Sequence, residues 1–207
     1  LGTRVIPLVI AKEKMELVKK TAGDTPLVSL TPYKKRKVGI VTTGNEVFYG
    51  RIKDTFTPVV IEKLESYGAE IQGHILCDDD MEKITKAILK LKEEGADMIV
   101  CTGGMSVDPD DKTPGAIKNT GARIVSYGAP VLPGAMFLLS YLEDGTPVMG
   151  LPGCVMYAKA TVFDLVLPRI IAGIEVTKKD LAHMGNGGFC LGCKECHYPN
   201  CSFGKGV

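Results

Sequence analysis

The stretch Thr102-Gly103-Gly104-Met105-Ser106-Val107-Asp108-Pro109-Asp110-Asp111 sets two glycines, a hydroxyl and three carboxylates directly after an apolar run that ends at Cys101. Adjacent glycines let backbone N–H groups come close to an anion, and a serine adds a further donor. Three aspartates beside such a site would repel the anion. A hard cation such as Mg2+, shared between carboxylate and phosphate oxygens, resolves that conflict and makes Asp108 and Asp111 candidate metal ligands. The competing reading is a solvated turn before a helix start at Thr113-Pro114.

Two further glycine-bearing segments follow apolar runs: Thr42-Thr43-Gly44-Asn45-Glu46 and Gly150-Leu151-Pro152-Gly153. Ligands of open α/β sheets sit beyond the carboxyl ends of the strands. Three such loops together predict an anionic ligand, with Glu46 and Asp54 as further carboxylates from neighbouring loops.

A second chemistry lies at the far end. Cys190, Cys193, Cys196 and Cys201, with His197 beside them, hold four of the seven cysteines within twelve residues. A secreted disulfide scaffold would spread its cysteines through the fold. The spacing C-x2-C-x2-C-x4-C is one residue longer than the ferredoxin run before its last cysteine, whereas zinc prefers two pairs split by a longer loop. The tail therefore reads as a metal site, an iron–sulfur cluster or Zn2+, against a flexible tail of reduced thiols. Cys154 carries two readings of its own: a thiolate favoured by a helix start, or a small packing side chain.

Regular elements must position these groups. "KVGIVTT" is a continuous β-branched run, as a strand covered on both faces should be. Thr57-Pro58 offers a helix start, with Ile61 and Leu64 on one face up to Gly68. "AEIQGHIL" is a strand. Asp79 and Glu82 have the spacing of a capping box before a helix with Ile84, Ala87, Ile88 and Leu91 inward, closing at Gly95. "DMIVC" and "ARIVSY" are strands, and "MFLLSYL" with "TPVMGL" is a hairpin turning at Asp144-Gly145. Residues 155–167 are apolar nearly all round and predict a buried helix stopped by Pro168. This alternation predicts an α/β fold, with helices on both sides of a mainly parallel sheet.

Residues 1–35, with a strand-like "RVIPLVI", a charged helical "AKEKMELVKK" and "PLVSLTP", read as the remnant of a preceding domain. Residues 36–175 form the α/β domain and 176–207 the cysteine-rich tail. The chain has 207 residues, 25 basic and 24 acidic. That balance gives no reason to expect nucleic acid or an anionic membrane as partner. No apolar run is long enough to cross a bilayer, and Leu1 is not followed by a signal-like segment. The expectation is a fragment of a soluble, cytoplasmic protein.

"VGIVTTGNEV", "GRIKDTFTPVVIEKLESYGAEI", "CDDDMEKITKAI", "ADMIVCTGGMSVDPDD" and "VMGLPG" together resemble the molybdopterin-binding domain of molybdenum-cofactor biosynthesis proteins. That family includes the molybdopterin adenylyltransferases and the molybdotransferases, and the chain is most similar to a clostridial-type group with a cysteine-rich tail. The resemblance covers about residues 37–172 and implies a three-layer α/β/α sandwich with a mostly parallel sheet. It implies molybdopterin or its AMP form as ligand, bound with Mg2+ through Thr43, Gly44, Gly103, Gly104 and Ser106, with the Gly150, Pro152 and Gly153 loop beside them. It implies Glu46, Asp54 and Asp111 as the catalytic carboxylates. Partners would be a molybdoenzyme or other cofactor-biosynthesis proteins, and a homo-oligomer is expected.

Departures bear on activity. Molybdate insertases carry lysines in the stretch that here reads Leu132-Pro133-Gly134-Ala135-Met136, and a β-domain where this chain has its cysteine tail. The resemblance thus supports a molybdate-insertase-like protein, or alternatively a non-catalytic carrier or a redox- or metal-responsive sensor.

Overall fold

The computed structural model describes residues 7–26 and 28–205. Residues 1–6, which include the first three of the strand-like "RVIPLVI", Leu27 of "PLVSLTP" and the last two tail residues lie outside it, and residues 7–10 form no strand. The chain divides into two units, Leu1–Pro32 and Tyr33–Val207. In the first, helix α1 (Lys12–Ala22) follows the charged run, and none of its residues is buried.

The second unit is built on six strands: β1 (Lys37–Thr43), β2 (Glu70–Cys77), β3 (Met98–Thr102), β4 (Arg123–Tyr127), β5 (Leu138–Tyr141) and β6 (Pro147–Leu151). They lie in the order β2-β1-β3-β6-β5-β4. The first four are mutually parallel, and β5 runs antiparallel to both β6 and β4. Alternate residues feed two cores, as the two-residue period of a strand requires. Val38, Ile40, Met98, Val100, Met149 and Leu151 join one, with α3 (Phe56–Glu65) and α6 (Val162–Ile171). Val41, Ile99, Cys101 and Val148 join the other, with α4 (Met81–Glu93) and α5 (Thr113–Asn119). The expected three-layer sandwich is present. Two short helices, α2 (Asn45–Phe48) and α7 (Lys178–His183), complete it. No helix among the described residues is long and apolar enough to cross a membrane.

Three local starts differ from the sequence reading, each because a different side chain satisfies the free N–H groups of a first turn. Asp80, not Asp79, caps α4 by accepting from Lys83 N at 3.0 Å. α3 begins at Phe56, because Asp54 Oδ1 accepts from Phe56 N at 2.9 Å and from Thr57 N at 3.0 Å.

The helix expected over 155–167 is two pieces. A single 3-10 turn, Gly153–Met156, comes first. α6 then starts after Thr161, whose N–H donates to the Asp164 carboxylate at 2.7 Å while its hydroxyl accepts from Phe163 N at 3.2 Å. Pro168 lies inside α6 rather than ending it. Proline has no N–H for the carbonyl four residues back. That carbonyl, Asp164 O, instead accepts from the Tyr198 hydroxyl at 2.8 Å.

Candidate functional site

β1 and β3 are neighbours, but the chain leaves β1 for β2 on one side and later returns to β3 on the other. Their carboxyl ends therefore diverge into loops on either side of a crevice, the place where such sheets receive ligands. A cleft of about 650 Å³ opens there, between the loop after β1 (Thr43, Gly44, Asn45, Glu46) and the loop after β3 (Gly104, Asp108, Asp110, Asp111, Lys112).

The two loops touch through their backbones. A Cβ on Gly103 would stand 2.1 Å from Thr43 O, and one on Gly104 2.9 Å from Thr113 Oγ1. Both residues also have positive φ, 83° and 53°. Glycine is required twice over, for conformation and for closeness. Thr113 Oγ1 donates to Gly103 O at 2.8 Å and pairs with Thr43 Oγ1 at 3.1 Å, which ties α5 to the end of β1.

Beneath the cleft, the Thr42 hydroxyl pairs with Thr57 Oγ1 at 2.7 Å and His74 Nε2 at 2.9 Å, and accepts from Thr102 Oγ1 at 3.2 Å. One hydroxyl offers one proton and two lone pairs, so three partners use it fully.

The aspartate loop is folded by its own side chains. Asp111 Oδ2 accepts from Ser106 N at 2.5 Å and from Ser106 Oγ at 2.9 Å. Asp108 Oδ1 accepts from Asp110 N at 3.1 Å, and Tyr127 donates its hydroxyl to Ser106 O at 3.0 Å. Burial, and then the charge of Asp111, pushes the Tyr127 phenol pKa up, so it stays a donor.

Of the residues singled out in the sequence, Thr43, Gly44, Glu46, Gly104, Asp108 and Asp111 line the cleft. Gly103 and Ser106 do not line it; Gly103 packs on Thr43 and Ser106 bonds Asp111. Asp54 caps α3, as above. Gly150 lies within β6, where a Cβ would meet Met105 Cε and Sδ at 2.6 Å, so it receives the side chain of the β3 loop. Pro152 is buried and Gly153 exposed in the loop after β6, and neither lines the cleft.

Sequence reasoning missed Asp79 and Lys112 as lining residues. Asp79 Oδ2 accepts from Asn45 N at 3.0 Å, and Asn45 Oδ1 accepts from Asp79 N at 3.3 Å, clasping the β1 loop to the β2 loop. The signal was available: three aspartates end the strand that pairs with β1. At Cys154 the thiol pKa is raised, chiefly by burial, which argues against the reactive reading.

The cleft thus presents five carboxylates, Glu46, Asp79, Asp108, Asp110 and Asp111, against one ammonium, Lys112. These are hard oxygen donors of the kind Mg2+ takes. The bonds of Asp111 fall on Oδ2 and that of Asp108 on Oδ1, so each has its second oxygen to offer. The donor chemistry fits a hard cation, although among the described residues no three such groups already converge on one point.

A family model described as a probable molybdopterin binding domain matches residues 39–172. The chain belongs to this family. The molybdopterin-binding match contains the whole cleft and both glycine loops, and it ends before the tail cysteines. A molybdopterin molybdenumtransferase of Synechococcus elongatus is 24% identical over 159 residues, 72% of this chain and 38% of that protein. A CinA-like protein of Mycobacterium avium is 35% identical over 77 residues, 37% of this chain and 18% of that protein. The chain thus spans well under half the length of these curated relatives. Among solved structures, the tungsten cofactor synthesizing protein MoaB from Pyrococcus furiosus matches 66% of this chain and 93% of its own, at 22% identity and a TM-score of 0.55. That likeness concerns the fold.

Proposed function

We propose that the β1/β3 cleft binds molybdopterin or its nucleotide-linked form with Mg2+ as the bridge, and that the chain acts on the bound pterin in the manner of a molybdate insertase. The supporting observation is the charge of the cleft: five carboxylates and one lysine surround loops whose glycines open the backbone to a phosphate. A phosphate entering alone would meet net negative charge. Asp111 and Asp108 would hold the cation through their second oxygens, with Glu46 facing them from the β1 loop. Bound Mg2+ would neutralise and polarise the phosphate oxygens. Gly104 would offer its backbone N–H, while Thr43, Gly44 and Ser106 would contact the ligand without donating, because the Gly44 N–H goes to Cys77 O, both Ser106 donors to Asp111 and the Thr43 hydroxyl proton to Thr113. Asp54 caps α3 nearby. The molybdenumtransferase relative supports this reading for the domain it shares with this chain.

One observation favours a second reading, a non-catalytic carrier or sensor that delivers the cofactor to a molybdoenzyme or another cofactor-biosynthesis protein. In the stretch where the resemblance puts two lysines, Leu132 is 51% exposed and no cation takes its place. An insertase needs fixed positive charge for an oxyanion.

The test is a titration of the anaerobic protein with molybdopterin and with its adenylated form, with and without Mg2+, in the wild type and Asp111→Asn. The amide oxygen of asparagine still accepts from Ser106, so the loop keeps its fold while the charge is lost. Mg2+-dependent binding that weakens about tenfold or more in the variant supports the first reading, a loss of about 1.4 kcal/mol. Binding indifferent to both favours the carrier, and no binding removes both. Adding molybdate to the bound complex, and watching for a molybdenum-loaded pterin, then separates transfer from carriage.

A further inference from the structure

The tail lines a cavity of its own. Cys190, Cys193, Cys196 and Cys201 all line one cavity of about 300 Å³, with His197 at its wall. All four are free thiols. Ala158 and Ala160 from the loop after β6, and Pro133 from the loop before β5, close it from the α/β domain. Because β6 is parallel to β3 and β5 antiparallel to β6, both loops lie at the same end of the sheet as the cleft.

The tail is held in place by backbone and side-chain bonds. Leu132 N donates to Gly188 O at 2.7 Å, and Cys190 N to Leu132 O at 2.8 Å. Gly204 N donates to Gly187 O at 2.9 Å, closing the cysteine segment into a loop. Tyr198 donates to Asp164 O, and Cys190, Tyr198 and Cys201 pack against the core around α6. Yet of residues 189–205 only Phe203 is buried. A segment with so little apolar burial does not offset its ordering entropy through packing. Metal ligation supplies that ordering in small cysteine-rich segments, where binding free energy becomes folding free energy.

We propose that these four thiolates hold an iron–sulfur cluster. Four soft sulfur donors select zinc or iron–sulfur over hard cations. The spacing favours the cluster over a single ion, because Cys190, Cys193 and Cys196 follow the C-x2-C-x2-C run of ferredoxins. As at the cleft, no three metal-ligating side chains among the described residues already gather at one point. The four cysteines lie outside the span that matches the family, and none of them lines the cleft.

The test uses the full 207-residue chain, purified anaerobically and then reconstituted with ferrous iron and sulfide. The readouts are iron, acid-labile sulfide and zinc per chain, visible absorbance, and electron paramagnetic resonance after reduction. The expected result is about four iron and four sulfide per chain. The double variant Cys193→Ser/Cys196→Ser should reduce iron to about a tenth or less, while Cys154→Ser, outside the cavity, retains it. Cys193 is exposed and Cys196 half-buried, so far-UV circular dichroism should show the domain still folded. One equivalent of zinc with no sulfide would overturn the cluster in favour of a single ion. Absence of any metal, or iron lost equally from Cys154→Ser, would overturn the site altogether.

Discussion

The carbonyl oxygen of Thr43 lies 2.1 Å from the point where a Cβ on Gly103 would stand, so the end of β1 and the loop after β3 meet backbone to backbone. The cleft takes its shape from that contact. Gly103→Ala should therefore push the loops apart and add the strain of a positive φ, together at least about 2 kcal/mol. Pterin binding should fall with it. Gly44 has a positive φ but nothing within 4 Å of a Cβ, so Gly44→Ala should cost only the backbone strain. Thermal unfolding of the two variants checks the contrast, and equal losses would mean that closeness is not what Gly103 provides.

Thr42 makes a second prediction, below the cleft. Thr42→Val keeps the shape of the side chain and leaves Thr57, His74 and Thr102 short of a partner. Removing one member of a buried polar set costs about 1–3 kcal/mol, and in a chain of this size each kcal/mol lowers Tm by about 2–4 °C. Thr42→Ser restores the hydroxyl and should recover most of the loss. A Thr42→Val protein as stable as the wild type would show that the three partners re-pair among themselves.

Much of this architecture was legible in the sequence because strand signals are local. The β-branched run at 37–43, the hairpin at Asp144-Gly145 and the helical period at 84–91 each carry their own pattern. What was not legible depends on partners distant in sequence. Nothing in Asp79 alone says that it bonds Asn45, thirty-four residues away. The break before α6 was hidden because residues 155–167 are apolar nearly all round, and that pattern masks the Thr161-x2-Asp164 cap. Pro168 reads as a stop, and only the tail hydroxyl makes it tolerable within a helix. Within the cleft, the glycines and Asp108 to Asp111 were visible by type and spacing, whereas the choice of lining residues depended on how two loops pack.

Asp144 gives a pH-dependent signature away from both sites. The Lys92 ammonium, 2.6 Å from its Oδ2, and then the Thr146 N–H lower its pKa from 3.8 to about 2. A depressed carboxylate stabilises the fold above its unfolded pKa and loses that contribution as pH falls through the folded value. The hairpin of β5 and β6 should therefore weaken between about pH 4 and pH 2. Half-exposed side chains keep the effect under about 1 kcal/mol. Lys92→Met should move the Asp144 carboxyl titration back toward its ordinary value, as followed by carbon NMR, and an unmoved midpoint would assign the shift to the Thr146 N–H instead.

Tyr198 and Pro168 act through the same acceptor, and that makes their coupling measurable. Burial, foremost, raises the Tyr198 pKa and keeps the hydroxyl protonated as a donor. Tyr198→Phe leaves Asp164 O without a partner inside α6, at a cost of about 1–3 kcal/mol. Pro168→Ala restores a backbone N–H four residues on, which can take over the same carbonyl. The loss from Tyr198→Phe should then be smaller in the Pro168→Ala background by about 1 kcal/mol, a coupling that a double-mutant cycle in urea reads directly. Strict additivity would mean that Tyr198 stabilises the tail through its ring packing against Phe203 alone, and that the helix carbonyl plays no part in docking the cysteine segment.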